Sequence, residues 1–186
     1  MTLAFERKLF TTAEYHRMIE AGILHEDDHV ELLNGEIINM APIGPRHAAC
    51  VDRISDLLWR KARKAAIIRV QNPVGLSPYS EPQPDISLLK LRSDYYAHGH
   101  PAPDDVLVAI EVADTTLEYD RNAKIPAYAR AGIAEAWLVD LNNDRIEIYT
   151  QPDQGFYREI RLVSRKQRVI STTIPGLSLK ADDILG

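Results

Sequence analysis

Hydrophobic positions along this chain change period several times, and each change marks an element. Thr11 and Glu14 fit a capping box, and Phe10 with Tyr15 fits a hydrophobic staple. Together they predict a short helix that Gly22 ends. Residues 30–40 are apolar-rich on both sides of Asn34-Gly35, the residue pair that favours a two-residue hairpin turn. Val51, Ile54, Leu58, Ala62 and Ala65 then recur at helical spacing. They predict a long helix over about 45–66, with Pro45 at a first helical position. Arg53, Arg60 and Lys64 fall on a different face, which reads as solvated. Further on, the spacing becomes that of strands. Residues 67–76 read as a strand with an irregularity at Pro73, and 86–89 as another. Residues 92–105 are polar and contain prolines, so they predict a loop or lid. Residues 106–113 form an almost unbroken apolar run, the mark of a buried strand. Residues 115–131 predict a turn and then a helix, with Pro126 early or at a kink and Gly132 as the stop. Residues 136–141 and 145–150 read as strands joined by Asn142-Asn143-Asp144. Residues 157–169 suggest a further hairpin at the sheet edge.

Runs of neighbouring strands favour a mixed α/β sheet flanked by helices, with an N-terminal helix and β-hairpin, over a doubly wound parallel sheet. No Gly-rich phosphate loop is present, which lowers the nucleotide-binding α/β classes. The 186 residues suit one domain with a substantial core. Nothing in them reads as an internal repeat or linker, so one domain over 1–186 is expected. Cys50 is the single cysteine and forbids an intrachain disulfide. With no signal-peptide pattern and no apolar run of membrane-spanning length, a reducing cytoplasm is the expected location. The formal net charge of −5 counts against strong non-specific nucleic-acid binding. A cluster of metal-binding acids would itself lower that total.

The position that breaks the pattern is Glu111, an acid inside the apolar run 106–113. Ionised carboxylates are rarely buried without a partner. Asp85 opens the strand before it. If those two strands pair antiparallel, both carboxylates converge at one sheet edge. Hard dications such as Mg²⁺ take oxygen ligands from one or two carboxylates. Lys124 falls early in the following helix, within reach of the strand end, and Tyr128 lies one turn further on the same face. Asp120 and Arg121 stand nearby. Blander readings exist for each residue: a capping role for Asp85, a buried ion pair of Glu111 with Arg121 or Lys124, core packing for Tyr128 and a structural role for His47. Their joint order favours a metal site. Six histidines occur without HExxH or paired-cysteine spacing, so no local zinc motif is present.

The chain carries Glu31-Leu32-Leu33-Asn34-Gly35-Glu36-Ile37, Met40-Ala41-Pro42 with His47, and Pro84-Asp85. It continues with Ile110-Glu111-Val112-Ala113-Asp114, Asp120-Arg121-Asn122-Ala123-Lys124, Tyr128-Ala129-Arg130-Ala131-Gly132-Ile133 and Glu135-Ala136-Trp137-Leu138-Val139-Asp140. In this order it resembles the PD-(D/E)XK nuclease superfamily and, more closely, its Uma-type restriction endonuclease family, over about 11–157. The resemblance implies a restriction-endonuclease-like core with a central mixed sheet and Mg²⁺-dependent cleavage of DNA, with Mn²⁺ as a substitute ion. It places Asp85 and Glu111 at the two metal-binding acidic positions and Glu36 as the additional acid, with Glu31 as the alternative. The superfamily lysine usually lies two residues after the second acid, where this chain has Ala113. Lys124 appears in its stead from the next helix, as is usual in this branch. Tyr128, Arg121 and His47 are candidates for substrate contact, and a homodimer would suit cutting of both strands. A second expectation is a non-catalytic nucleic-acid-binding or interaction module that keeps the nuclease fold.

Overall fold

The computed structural model describes residues 7–186. Helix α1 (Thr12–Glu20) starts with the Thr11/Glu14 capping box and leads to the hairpin β1 (Val30–Leu33) and β2 (Glu36–Asn39). Asn34 and Gly35 have φ of 52° and 79°, the paired left-handed conformations of a tight hairpin turn. A Cβ at Gly35 would stand 2.7 Å from that of Leu9, so the position requires glycine on two counts.

Helix α2 spans Pro45–Lys61, shorter than its periodicity suggested. Ala62 carries the apolar pattern onward, but the amides of Ala65 and Ala66 bond back to its carbonyl in a turn. The chain then enters β3 (Ile67–Val70), β4 (Ile86–Leu89) and β5 (Val106–Ala113). The strand predicted over 67–76 stops at Val70. Gln71 takes a φ of 51°, and Pro73 has no amide to pair. After β5 come a short α3 (Leu117–Tyr119), a π-helical turn (Asp120–Lys124) and α4 (Ile125–Ala131). The chain closes with β6 (Glu135–Asp140), β7 (Arg145–Asp153), β8 (Phe156–Ser164), β9 (Arg168–Ile170), β10 (Ser178–Lys180) and α5 (Ala181–Leu185). Residues 157–169 are not a hairpin of their own. β8 pairs with β7, and β9 turns away to pair with β10.

The central sheet has the order β3-β4-β5-β6-β7-β8. Only β5 and β6 run parallel within it; the other neighbours are antiparallel. A parallel neighbour needs a crossover, and the helical segment 117–131 provides it. One sheet face packs on α2 and α5 through Ile54, Leu58, Ile86, Ile110, Trp137 and Ile184. The other packs on α4 through Ala109, Ala113, Ile125, Tyr128 and Leu138. Covering both faces explains why β5 reads as a continuous apolar run. It also fixes Glu111 on the α4 side, between the small residues Ala109 and Ala113. Among the described residues no helix is long and apolar enough to cross a membrane.

Candidate active site

β4 and β5 run antiparallel with Ile86 opposite Ile110. The next position outward on this register brings Asp85 alongside Glu111. Asp85 Oδ2 accepts a bond from the Val112 amide at 2.8 Å and pairs with Nε2 of His47 at 3.0 Å. His47 belongs to the first turn of α2, which Pro45 starts, so helix and sheet end meet at this acid.

Glu111 is 2% exposed. Its Oε1 accepts from the Lys124 ammonium at 2.8 Å and from the Tyr128 hydroxyl. Lys124 also donates to the Gln83 carbonyl at 3.0 Å and lies 3.4 Å from Glu31 Oε2. Glu31 is held in turn by the Gln83 amide and the Tyr119 hydroxyl, each at 2.8 Å. The buried Asp120 accepts from the Thr116 hydroxyl at 2.5 Å. The π-helical turn sets this arrangement. Ile125 donates to the carbonyl of Asp120, five residues back, and Pro126 has no amide to restore the four-residue register. Asp120 and Lys124 consequently both face inward and are buried.

Four carboxylates, Glu31, Asp85, Glu111 and Asp120, thus surround one ammonium. Burial disfavours charge on Lys124, but the negative field of those acids outweighs it and holds its pKa well above the usual lysine range. Burial drives the Glu111 pKa well above the usual carboxylate range; Asp120 and Asp85 push the same way and Lys124 opposes. Burial also lifts Asp120 to about 6. His47 is raised by its bond to Asp85, against burial. The cluster holds a surplus of acids that one lysine does not neutralise, so added positive charge would relieve it. Among the described residues, Oδ1 of Asp85 and Oε2 of Glu111 have no hydrogen-bond or ion-pair partner. An oxygen-rich, net negative donor set of this kind fits a hard dication.

Glu135 supplies a contrast. It too is an inward acid on a strand, fully buried on the far side of the fold. Its Oε2 accepts from the Thr172 and Thr173 amides and from the hydroxyls of Ser171, Thr172 and Thr173. Its Oε1 takes the Trp137 indole at 2.6 Å. Neutral donors saturate this acid, and its role is to anchor the C-terminal segment.

Asp85, Glu111, Lys124, Tyr128 and His47 are therefore brought together. Glu36 and Arg121 are not. Glu36 flanks the hairpin turn on the solvent side and pairs with Arg7 at 2.8 Å. Glu31, the other acid of that hairpin, occupies the cluster. Arg121 turns away to Glu147 at 2.7 Å and Asp140 at 3.7 Å. Gln83 and Tyr119 had no sequence signal, because backbone polar groups and a lone aromatic carry none. Glu31 did have one: like Glu111, it is an acid within an apolar strand.

The chain is thus a mixed α/β core with paired acids at a strand end and a lysine from the crossover helix. The family model Uma2, described as "Putative restriction endonuclease", matches residues 12–182, and the chain belongs to that family. Among solved structures, the chain is similar to the crystal structure of "a putative nuclease belonging to DUF820" from Anabaena variabilis. The TM-score is 0.70 at 16% identity, covering 95% of this chain and 97% of that one. No curated protein matches the sequence.

Proposed function

We propose that this protein is a Mg²⁺-dependent endonuclease that hydrolyses DNA phosphodiester bonds, with Mn²⁺ able to substitute. The observation that carries the reading is Lys124 at 2.8 Å from Glu111, with Asp85 beside it and a surplus of buried acid around both. Asp85 and Glu111 would hold the ion, and Glu31, rather than Glu36, would be the third acid. Bound there, the dication would acidify water, polarise a phosphoryl oxygen and offset charge.

The protein's own groups have distinct tasks. The His47 imidazole fixes the Asp85 carboxylate, and the Tyr128 hydroxyl fixes Glu111; oriented ligands bind metal more tightly. The Lys124 ammonium has three protons, and its contacts with Glu111, Gln83 and Glu31 use them. The Glu31 contact is the longest at 3.4 Å. Lys124 would exchange it for the attacking water or a phosphate oxygen, stabilising the negative charge that develops at phosphorus. Arg121, already engaged by Glu147, has no assigned contact with substrate in this scheme. Two copies related by symmetry would cut both strands of a duplex, in the cytoplasm as the composition suggests.

The net charge of −5 favours a second reading, a binding module that retains the fold without catalysis. Incubating the purified protein with plasmid and single-stranded DNA, with Mg²⁺ or Mn²⁺, separates the two. Cleavage should be lost in Asp85→Asn and Glu111→Gln proteins that keep wild-type circular dichroism. Cleavage that survives both substitutions would sink the assignment. DNA binding without cleavage, unchanged in Glu111→Gln, would favour the binding module.

A further inference from the structure

Outside the acidic cluster, one set of side chains converges with the chemistry of a second ion site. His16, Glu81 and His100 each offer a ligand atom, and these atoms all lie within 4.8 Å of one another. Nε2 of His16 stands 2.7 Å from Oε1 of Glu81, and the His16 and His100 rings meet edge-on with centroids 6.3 Å apart. The residues come from three separate segments. His16 projects from α1. Glu81 lies in the stretch that bonds to β1 through its amide and the Leu32 carbonyl at 2.8 Å. His100 belongs to the loop between β4 and β5. Glu81 is 8% exposed while both histidines reach solvent, so a fixed carboxylate meets two imidazoles that can adjust.

We propose that His16, Glu81 and His100 bind a transition-metal dication of the zinc class, at a site separate from the acidic cluster. Two imidazoles and one carboxylate are a borderline donor set that suits such ions, whereas Mg²⁺ prefers all-oxygen surroundings. With metal–ligand distances of about 2.0–2.2 Å, tetrahedral ligands stand roughly 3.4 Å apart. The His16–Glu81 pair, at 2.7 Å, is tighter than that spacing and no pair exceeds 4.8 Å, so rotation of the solvent-reaching imidazoles would set it. Three protein ligands leave a coordination position open. It would face a cleft of about 580 Å³ that His16, Glu81, His100, Glu31 and Gln83 line together.

The consequence is mechanical as well as chemical. An ion here would tie α1 and the 90–105 loop to the segment that runs from Glu81 to Asp85. Gln83 in that segment bonds both Glu31 and Lys124. The site would therefore brace the backbone beneath the acidic cluster. It stands whether or not that cluster cleaves DNA.

The test uses the full chain without a histidine tag, stripped with chelator. Zn²⁺ is titrated calorimetrically, and Co²⁺ is followed by its visible ligand-field bands. Wild type and Asp85→Asn should each bind one ion at this site with the same spectrum. His16→Gln and His100→Gln should weaken binding by at least about tenfold and abolish the bands. Both positions reach solvent, so the metal-free melting temperatures should match wild type. Wild-type affinity in the two histidine variants, no saturable binding to wild type, or loss of the bands in Asp85→Asn would each overturn the proposal.

Discussion

Replacing Lys124 by methionine removes the ammonium that contacts the buried acids Glu111 and Glu31. The ammonium lies 2.8 Å from Glu111 and 3.4 Å from Glu31. At an effective dielectric near 20, those separations correspond to attractions of about 6 and about 5 kcal/mol. Most of that is offset by the several kcal/mol needed to desolvate each ion. What remains on breaking a buried pair is a loss of about 3–5 kcal/mol, because the acids are left without a counter-charge. Glu111 can take up a proton, since burial already favours its neutral form, and that places the loss near the lower figure, ~3 kcal/mol. For a chain of this size, each kcal/mol moves the melting temperature by about 2–4 °C, so the shift is about 10 °C. The assay is thermal and urea unfolding of wild type and Lys124→Met, in chelator and again in saturating Mg²⁺. In chelator the variant should melt about 10 °C lower. In Mg²⁺ the gap should narrow, because the dication supplies the missing charge at Asp85 and Glu111, yet DNA cleavage should not return. A variant as stable as wild type in chelator would refute the electrostatic reasoning. One that still cleaves DNA would refute the role given to the ammonium.

The two acids of the hairpin should separate cleanly: Glu31→Gln should cut DNA cleavage by at least about a hundredfold, while Glu36→Gln stays within about twofold, both read by plasmid nicking. Glu135→Ala should cost about 3 kcal/mol or more in urea unfolding, because it strands several buried neutral donors at about 1–3 kcal/mol each, and the loss should not depend on divalent ions, since this acid serves only Trp137 and the chain at 171–173. The Glu14 carboxyl is held at about 2 by Lys8 and then by the Thr11 amide and hydroxyl. A depressed acid stabilises the fold above its unfolded value of 4.5, and the benefit is lost as pH falls from there to about 2. Glu14→Gln should therefore be less stable than wild type at pH 7, with the difference shrinking through that window in urea titrations.

Much of this architecture can be read from local pattern. Asn34-Gly35 names its turn because few other pairs tolerate two left-handed residues in succession. The run 106–113 announces a strand covered on both faces, and the acid within it marks a position that demands a partner. Lys124 and Tyr128, four residues apart, share a helix face and meet the same oxygen of Glu111. Other features depend on contacts that no local window contains. Glu31 and Glu36 sit in one hairpin, and only the packing of β1 against the Glu81 segment buries the first and exposes the second. Helix α2 stops at Lys61 although its apolar spacing continues, because a turn at Ala62 delivers the chain to β3. The π-helical turn follows from a proline whose missing amide shifts the hydrogen-bond register by one. Arg121 is drawn off by Glu147 on β7, a strand 26 residues further on. His16 and His100 show no metal spacing in the sequence, since the fold alone unites them.

Asp85 and Glu111 would hold a divalent cation beside Lys124. A crystal soaked in Mn²⁺ and measured at an energy where manganese scatters anomalously tests it most directly. An anomalous peak should appear bonded to carboxylate oxygens of both Asp85 and Glu111, with the Lys124 ammonium close by. No peak there at saturating Mn²⁺, or one that touches neither carboxylate, would contradict it.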